Sequence, residues 1–193
     1  MYHVRLRAVV IALAVAAPSL LFAQTKPDMG ALAADLERVL GADHVEINGR
    51  PGRASAPGER PTTPFEMAIV DAMNRERVAH GLSTLGVNVR LEAAADDRIA
   101  DMLEKRYFSH VSPDGIQPWN WVDQRGYDYR EVGENLALGY QSADSVVDGW
   151  MHSAGHRANV LGAHFREVGV SVSQASPTNG YRGPTVVAIY GER

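Results

Sequence analysis

The chain of 193 residues contains no cysteine. This absence excludes disulfide frameworks, zinc sites built from thiolates, cysteine nucleophiles and lipid attachment to cysteine. Basic residues are also few, with 19 Lys and Arg against 23 Asp and Glu and a formal net charge of −4. Because neutralising phosphates requires a basic face, this charge balance argues against a nucleic-acid partner. The remaining composition, 45% hydrophobic and 22% charged, is that of a globular protein.

An apolar run long enough to matter for membranes occurs only at the start of the sequence. Arg5 and Arg7 precede this run, Pro18 interrupts it, and Ala23 offers a small residue for cleavage. The layout is typical of a secretory signal peptide. A retained membrane anchor is the alternative, but an uninterrupted span needs about 20 apolar residues. We therefore predict that residues 1–23 are a signal peptide, that no stable membrane span remains after cleavage, and that the protein is secreted or periplasmic.

Residues 24–63 are predicted to be a short helix followed by a linker. Apolar residues recur at helical spacing over 29–40, and Gly41 ends that pattern. Residues 41–64 then contain four glycines and four prolines, a composition that buries little surface. The main domain is therefore predicted to cover residues 64–193.

A capping box predicts that the first helix of this domain begins after Thr63. The Thr63 hydroxyl can accept hydrogen bonds from free backbone amides, Pro64 suits the first helical position, and Glu66 completes the box. Apolar residues follow at helical spacing as far as Gly81, which is predicted to end the helix.

Two further helices and two strands are predicted later in the chain. Apolar spacing indicates helices over 91–103 and 142–151, whereas β-branched residues indicate strands over 168–172 and 185–190. Because helices come first and strands last, without βαβ alternation, the pattern predicts an α+β domain. The charged residues of the second predicted helix are expected to form a solvent-exposed face: Asp96, Asp97, Arg98, Glu104 and Lys105.

Four histidines and one glutamate are candidates for the chemistry of a functional site. They are His110 in FSHVSPDG, Glu134 in GEN, His152 and His156 in WMHSAGHRAN, and His164 in GAHF. His110, Glu134 and His156 could hold Zn²⁺ with an open fourth position. They could equally satisfy one another by hydrogen bonds in a purely structural network.

Other catalytic classes match the sequence poorly. His152 and His156 have the spacing of a metalloprotease helix, but Ser153 stands where the general-base Glu would be, and Gly155 weakens a continuous helix. The sequence has no G-x-S-x-G elbow, phosphate-binding loop or G-x-G-x-x-G fingerprint, which argues against serine hydrolases and nucleotide binding. Trp119 and Trp121 suit either an exposed stacking platform or core packing, and core packing is the commoner role.

Taken together, several motifs in one order make the chain resemble the CAP superfamily (cysteine-rich secretory proteins, antigen 5 and pathogenesis-related 1, also called SCP domains). The motifs are the N-x-x-R turn at Asn74 and Arg77, followed by FSHVSPDG, VGENLALG, WMHSAGHRANVL and FREVGVSV. The resemblance covers residues 66–191 and is to the cysteine-free bacterial-type branch. It implies a three-layer α-β-α sandwich with a central antiparallel sheet.

The resemblance also implies a central cavity lined by two histidines and two acids. His110, Glu134 and His156 match three of these four positions, whereas Ser153 occupies the place of the second acid. A weak Zn²⁺ site at His110 and His156 is implied, and the missing acid argues against hydrolysis. Glu167 lies nearby in sequence, but the family assigns it no such role.

These features predict a binding or scaffold module outside the cytoplasm, without catalytic turnover. The partners that the resemblance implies are a lipid, a cell-wall polymer or a protein. The alternative is a divalent-metal-dependent hydrolase or protease, with His110 and His156 as ligands and Glu134 as base. Ser153 favours the binding module, because an acid at that position would have supported the enzyme.

Overall fold

The structure is a computed structural model, which describes residues 61–180 and 182–193. The predicted signal peptide (1–23) and nearly all of the predicted helix and linker (24–63) lie outside the described residues. Those two assignments, and the domain boundary drawn after them, therefore stay predictions. Within the described part of the chain, no helix is both long and apolar enough to cross a bilayer.

Five helices and four strands make up the described part of the chain. In chain order they are α1 (Pro64–Ala79), β1 (Gly86–Val87), α2 (Val89–Lys105), α3 (Pro118–Gln124), β2 (Glu131–Leu138), α4 (Ala143–Met151), α5 (Ala154–Val160), β3 (Glu167–Ser173) and β4 (Thr185–Glu192). The three predicted helices of the domain and its two predicted strands are confirmed as α1, α2, α4, β3 and β4. The elements β1, α3, β2 and α5 were not predicted.

The start of α1 is formed by the predicted capping box. The Thr63 hydroxyl accepts a hydrogen bond from the Glu66 amide at 3.3 Å, and the Glu66 carboxylate accepts one from the Thr63 amide at 2.8 Å. After the helix, Gly81 has a φ of +73°, a conformation that favours glycine. The capping box is a reliable predictor because its two side chains pair with backbone amides that the start of a helix leaves without partners.

A four-stranded sheet lies at the centre of the domain in the order β1-β3-β4-β2. Strands β3 and β4 pair antiparallel, as do β4 and β2, which confirms the predicted antiparallel sheet for its three long strands. The two-residue β1 differs, because it pairs parallel to β3. Strand β2 therefore lies at one edge of the sheet.

Helices cover both faces of this sheet, which confirms the predicted three-layer α-β-α sandwich. One core cluster joins α1, α4 and α5 to one face, through residues such as Met73, Trp150 and Tyr190. The other joins α2 and α3 to the opposite face, through residues such as Leu91 and Ile189. Each face is lined by alternate residues of β4, as the pleat of a strand requires.

A glycine in β3 allows α2 to lie directly against the sheet. A Cβ atom placed on Gly169 would lie 2.0 Å from the carbonyl carbon of Leu91, closer than any real contact. This position therefore needs glycine because the backbones themselves approach each other. The contact fixes the height of α2 above the sheet, and with it the height of the side chains that α2 sends towards β2.

Buried Arg77 anchors the far end of α5. Its side chain is fully buried on α1 and donates to the carbonyl oxygens of Val160 at 2.7 Å, Gly162 at 3.0 Å and Phe165 at 3.0 Å. Burial lowers the pKa of this guanidinium, and neighbouring Arg166 lowers it further. Because three of its hydrogen bonds end on carbonyl oxygens of the last residue of α5 and of the segment after it, Arg77 holds the end of the helix and that segment in place.

Candidate functional site

Two adjacent residues of β2 face opposite layers of the sandwich. Glu134 pairs in register with Ile189, whose side chain lies in the core beneath α2, whereas Asn135 pairs with Ala188 in the core beneath α1 and α4. Side chains of successive strand residues point to opposite faces. Because β2 is an edge strand, groups from both helical layers can meet beside it.

His110 and Glu134 form the half of the site on the α2 side. His110 Nδ1 lies 2.8 Å from Glu134 Oε1; the histidine side chain is 33% exposed and the glutamate side chain 2% exposed. The other carboxylate oxygen, Oε2, accepts a hydrogen bond from Arg98 Nε at 2.9 Å. Both oxygens of Glu134 are therefore engaged, one by a partly exposed ring and one by a buried cation.

Arg98 connects this carboxylate to the loop that carries His110. The guanidinium also donates to the Tyr107 hydroxyl and to the Ser109 carbonyl oxygen. It lies over the Trp121 ring, with its central carbon 4.8 Å from the ring centroid. Because Ser109 immediately precedes His110, one side chain on α2 positions both partners of the His110–Glu134 contact.

The prediction that the charged residues of α2 form a solvent-exposed face is wrong for Arg98, which is fully buried. Asp97 is also partly buried and pairs with Arg125, whereas Glu104 is exposed as expected. Arg98 was missed because charged residues rarely occupy core positions. Its spacing was the available signal: it follows Leu91 by seven residues and precedes Met102 by four, which places it on the apolar stripe.

Amide groups form the other half of the site, on the α5 side. Asn135 is fully buried, and its Nδ2 donates to the His156 carbonyl oxygen at 3.0 Å and to the Tyr190 hydroxyl at 3.1 Å. Asn159 Nδ2 donates to Asn135 Oδ1 at 2.9 Å and to the Glu134 carbonyl oxygen at 3.1 Å. The first turns of α5 are thus attached to β2 through neutral groups.

The rings of His110 and His156 meet across the edge of the sheet. Their centroids are 6.4 Å apart and their planes are inclined at 52°. Burial lowers the pKa of His156, and nearby His110 lowers it further. The structure therefore brings together all three predicted site residues, and we call the gap between the two rings the His110–His156 cleft.

The residues of this cleft do not fit a catalytic zinc centre with three protein ligands. Two imidazoles on one tetrahedral zinc ion, with Zn–N bonds of about 2 Å, would place their centroids about 5 Å apart, closer than the 6.4 Å observed. The oxygens of Glu134 are taken by Arg98 and His110. Within residues 61–180 and 182–193, no group of three His, Asp or Glu side chains could hold a metal ion. A weaker site of two histidine nitrogens stays a prediction.

The remaining histidines lie outside the cleft. His152 caps the end of α4, its side chain is 77% exposed, and its Nδ1 lies 2.8 Å from the Asp148 carbonyl oxygen. Because α4 ends at Met151 and α5 begins only at Ala154, His152 and His156 do not lie on one helix. Ser153 is the N-cap residue of α5. The geometry thus agrees with the expectation that this segment is not a metalloprotease helix.

A separate cavity lies where β3 begins and β4 ends. It has a volume of about 460 Å³ and is lined by His164, Arg166, Glu167, Glu192 and Arg193. Glu167 accepts hydrogen bonds there from Tyr127 and Asn88, at 2.7 Å and 2.9 Å. None of the three cleft residues lines this cavity, which agrees with the expectation that Glu167 is not part of the His/Glu site.

Side chains from α4 and α5 cover part of the outer edge of β2. Trp150 Nε1 donates to the Leu136 carbonyl oxygen at 3.0 Å, next to the Asn159 bond to the Glu134 carbonyl oxygen. Trp150 is buried, as is Trp121, which confirms core packing for Trp121. The two carbonyl groups beside the cleft are therefore already paired within the domain.

Comparisons with known proteins agree with this architecture. The model of the cysteine-rich secretory protein family (CAP) matches residues 70–190. Two Bacillus subtilis proteins are similar in sequence: YkwD, 37% identical over 106 residues, and the membrane protein YlbC, 33% identical over 119 residues. The matches cover 55% and 62% of this chain but only 41% and 34% of those relatives.

Solved structures show the same fold at low sequence identity. An extracellular SCP-domain protein from Bacillus anthracis matches with a TM-score of 0.58 and 24% identity, over 67% of this chain and 40% of that one. An outer surface protein from Borrelia burgdorferi matches with a TM-score of 0.59 and 19% identity, over 69% of this chain and 96% of that one. Because the family model matches more than half of the sequence, the chain belongs to the cysteine-rich secretory protein (CAP) family, as a member without cysteine.

Proposed function

We propose that the protein is an extracytoplasmic CAP-domain module that binds a lipid, cell-wall or protein ligand at the His110–His156 cleft without chemical turnover. The observation that carries this proposal is the engagement of Glu134. Its two oxygens are held by Arg98 and His110, at 2.9 Å and 2.8 Å. A general base must lie within reach of the proton that it removes, and the Glu134 side chain is only 2% exposed. A carboxylate fixed by a buried cation serves instead to position the histidine.

The extracytoplasmic part of the proposal is supported by two independent observations. The first 23 residues have the layout of a signal peptide. Structural neighbours are named as an extracellular protein and an outer surface protein. The direct check is to express the full chain in a bacterial host and sequence the N-terminus of the exported form. We expect that form to begin at Gln24, and recovery of the intact chain from the cytoplasm alone would contradict the proposal.

Binding is tested with the exported protein and three immobilised probes: purified cell-wall polymer, lipid vesicles and a protein extract. We compare wild type with His110→Ala, and use His152→Ala as the matched control because His152 is exposed outside the cleft. Retention on a probe should fall for His110→Ala and stay unchanged for His152→Ala. Equal retention of all three forms, or retention of none, would rule out a cleft ligand.

The second candidate function is a divalent-metal-dependent hydrolase with His110 and His156 as ligands and Glu134 as base. It is favoured by the lowered pKa of His156, since the neutral imidazole is the form that binds metals, and it requires the two rings to move closer than the 6.4 Å between their centroids. Calorimetric titration with Zn²⁺ tests it, comparing wild type with the His110→Ala/His156→Ala double variant. Binding that only wild type shows, together with metal-dependent cleavage of a peptide or ester substrate, would replace the binding module with the enzyme.

A further inference from the structure

The loop between β3 and β4 contains an asparagine followed by a glycine, Asn179 and Gly180. Both residues are exposed and lie in a turn, and Gly180 has a φ of +104°. Apart from the two chain neighbours of Gly180, no atom would lie within 4 Å of a Cβ atom placed on it. The backbone at this turn is therefore open to solvent, with no side chain on Gly180 and none packed against it.

The Asn179 side chain differs from the other asparagines in the part of the chain that the structure describes. Each of the others has a side-chain amide that makes at least one hydrogen bond: Asn74, Asn88, Asn120, Asn135 and Asn159. Each of them is also followed by a residue with a long or branched side chain. Among the described residues, Asn179 alone has a side-chain amide without a hydrogen bond and a glycine as its next residue.

A free asparagine before a glycine can react with its own backbone, which is one reason why asparagine is thermolabile. The Gly180 amide nitrogen attacks Asn179 Cγ and forms a C–N bond, while the side-chain nitrogen takes up the amide proton and leaves as ammonia. One water molecule then opens the resulting succinimide ring at either of its carbonyl carbons. The products are aspartate and isoaspartate, so the reaction consumes water, releases ammonia and needs no oxidant or enzyme. A side chain on the second residue would hinder the attack, and glycine has none.

We infer that Asn179 is a site of spontaneous deamidation, at which the folded protein gains one negative charge and, in the isoaspartate form, one more methylene group in its backbone. The base of the loop is held independently, because the Thr185 hydroxyl donates to the Ala175 carbonyl oxygen at 2.7 Å. Thr185 also pairs with Leu138 at the end of β2, whereas the cleft lies further along that strand, at Glu134. The modification therefore changes the surface of the loop and leaves the sheet and the cleft as they are.

The inference is tested by incubating the exported full chain in mildly alkaline buffer and digesting samples with trypsin at intervals. Cleavage after Arg166 and Arg182 gives a peptide of residues 167–182, whose one asparagine is Asn179. Mass spectrometry measures the exchange of the side-chain amide for a hydroxyl group, and fragmentation separates aspartate from isoaspartate. We expect both products. Conversion should be at least about tenfold faster at Asn179 than at Asn135, because a buried residue reacts only after the structure opens locally.

Two controls make the outcome decisive. A synthetic peptide of residues 167–182 gives the rate without the fold, and Asn179→Gln should keep its mass because its longer side chain must close a larger ring. Conversion of the peptide without conversion of the protein would overturn the inference, as would aspartate formed without isoaspartate, which indicates direct hydrolysis.

The product variant Asn179→Asp tests whether the change is confined to the surface of the loop. It should match wild type in urea denaturation and in retention on the three immobilised probes. Lower stability or altered retention of Asn179→Asp would show that the modification reaches beyond the loop, and that part of the inference would be overturned.

Discussion

The two halves of the cleft are built from different chemistry. On the α2 side, His110 is held by a buried ion pair between Arg98 and Glu134. On the α5 side, the Asn135 amide donates to the His156 backbone carbonyl oxygen, and the Asn159 amide donates in turn to Asn135. Adjacent residues of a single strand supply both anchors, because the strand sends one side chain to each layer.

The difference predicts unequal sensitivity to substitution. Removing one member of a buried ion pair leaves an uncompensated charge, whereas removing one amide leaves only unpaired neutral groups. The α2 half should therefore be the more costly to disturb. It is also the half that controls the orientation of a ring, since its contact is made to a ring nitrogen and not to backbone.

The largest effect is expected for Arg98→Met. The substitution leaves the buried Glu134 without its cation, which should lower the free energy of unfolding by about 3–5 kcal/mol. Urea denaturation measures this loss. Arg90→Met is the control on the same helix, because Arg90 is exposed, and it should cost less than about 1 kcal/mol. Similar losses for both variants would show that Arg98 is not an anchor of the α2 half.

A smaller loss is expected for Asn135→Ala on the other half. The change removes the donor to the His156 carbonyl oxygen and to the Tyr190 hydroxyl, and should cost about 1–3 kcal/mol in the same denaturation measurement. Exposed Asn179→Ala should cost no more than about 0.5 kcal/mol. A loss for Asn135→Ala as large as that for Arg98→Met would remove the contrast between charged and neutral anchors.

The α5 half of the cleft should make the stability of the domain sensitive to pH, through His156. The folded pKa of His156 lies below its ordinary value of 6.5, first because of burial and second because of His110. As the pH falls below 6.5, the unfolded chain binds a proton at this ring that the folded chain does not, so stability decreases. Unfolding free energies at several pH values between about 7.5 and 5.5, in buffer with a chelator, measure the slope. His156→Gln should flatten it, and an unchanged slope in that variant would contradict the assignment.

Short sequence patterns predicted the helices that begin at a clear N-cap residue. The predicted capping box at Thr63 and Glu66 formed, and Ser142 caps the predicted helix α4 in a similar way, because both caps depend on groups within one turn of chain. The family motifs also singled out His110, Glu134 and His156, which lie together at the cleft and whose functional roles stay predictions. What they did not predict is how those residues are connected.

The missed features depend on tertiary packing rather than on local pattern. Strand β2 contains Gly133, Glu134 and Asn135 in succession, residue types that strands disfavour, and it forms because β4 pairs along its whole length. Helix α5 is short and contains Gly155, so its helical propensity is low. Arg98 carried a helical spacing signal, but its partner Glu134 lies 36 residues away, and no local pattern links the two.

The smallest effect is expected for His152→Ala, and it separates proximity in sequence from proximity in the site. His152 and His156 are four residues apart, a spacing that would place both rings on one face of a continuous helix. The break between α4 and α5 instead leaves His152 exposed against Asp148. Its removal should change the free energy of unfolding by less than about 0.5 kcal/mol and leave the NMR signals of His110 and His156 in place. A shift in the NMR signals of either ring would mean that α4 and α5 form one continuous helix in solution. The His110–His156 cleft would then have to include His152 as a third histidine.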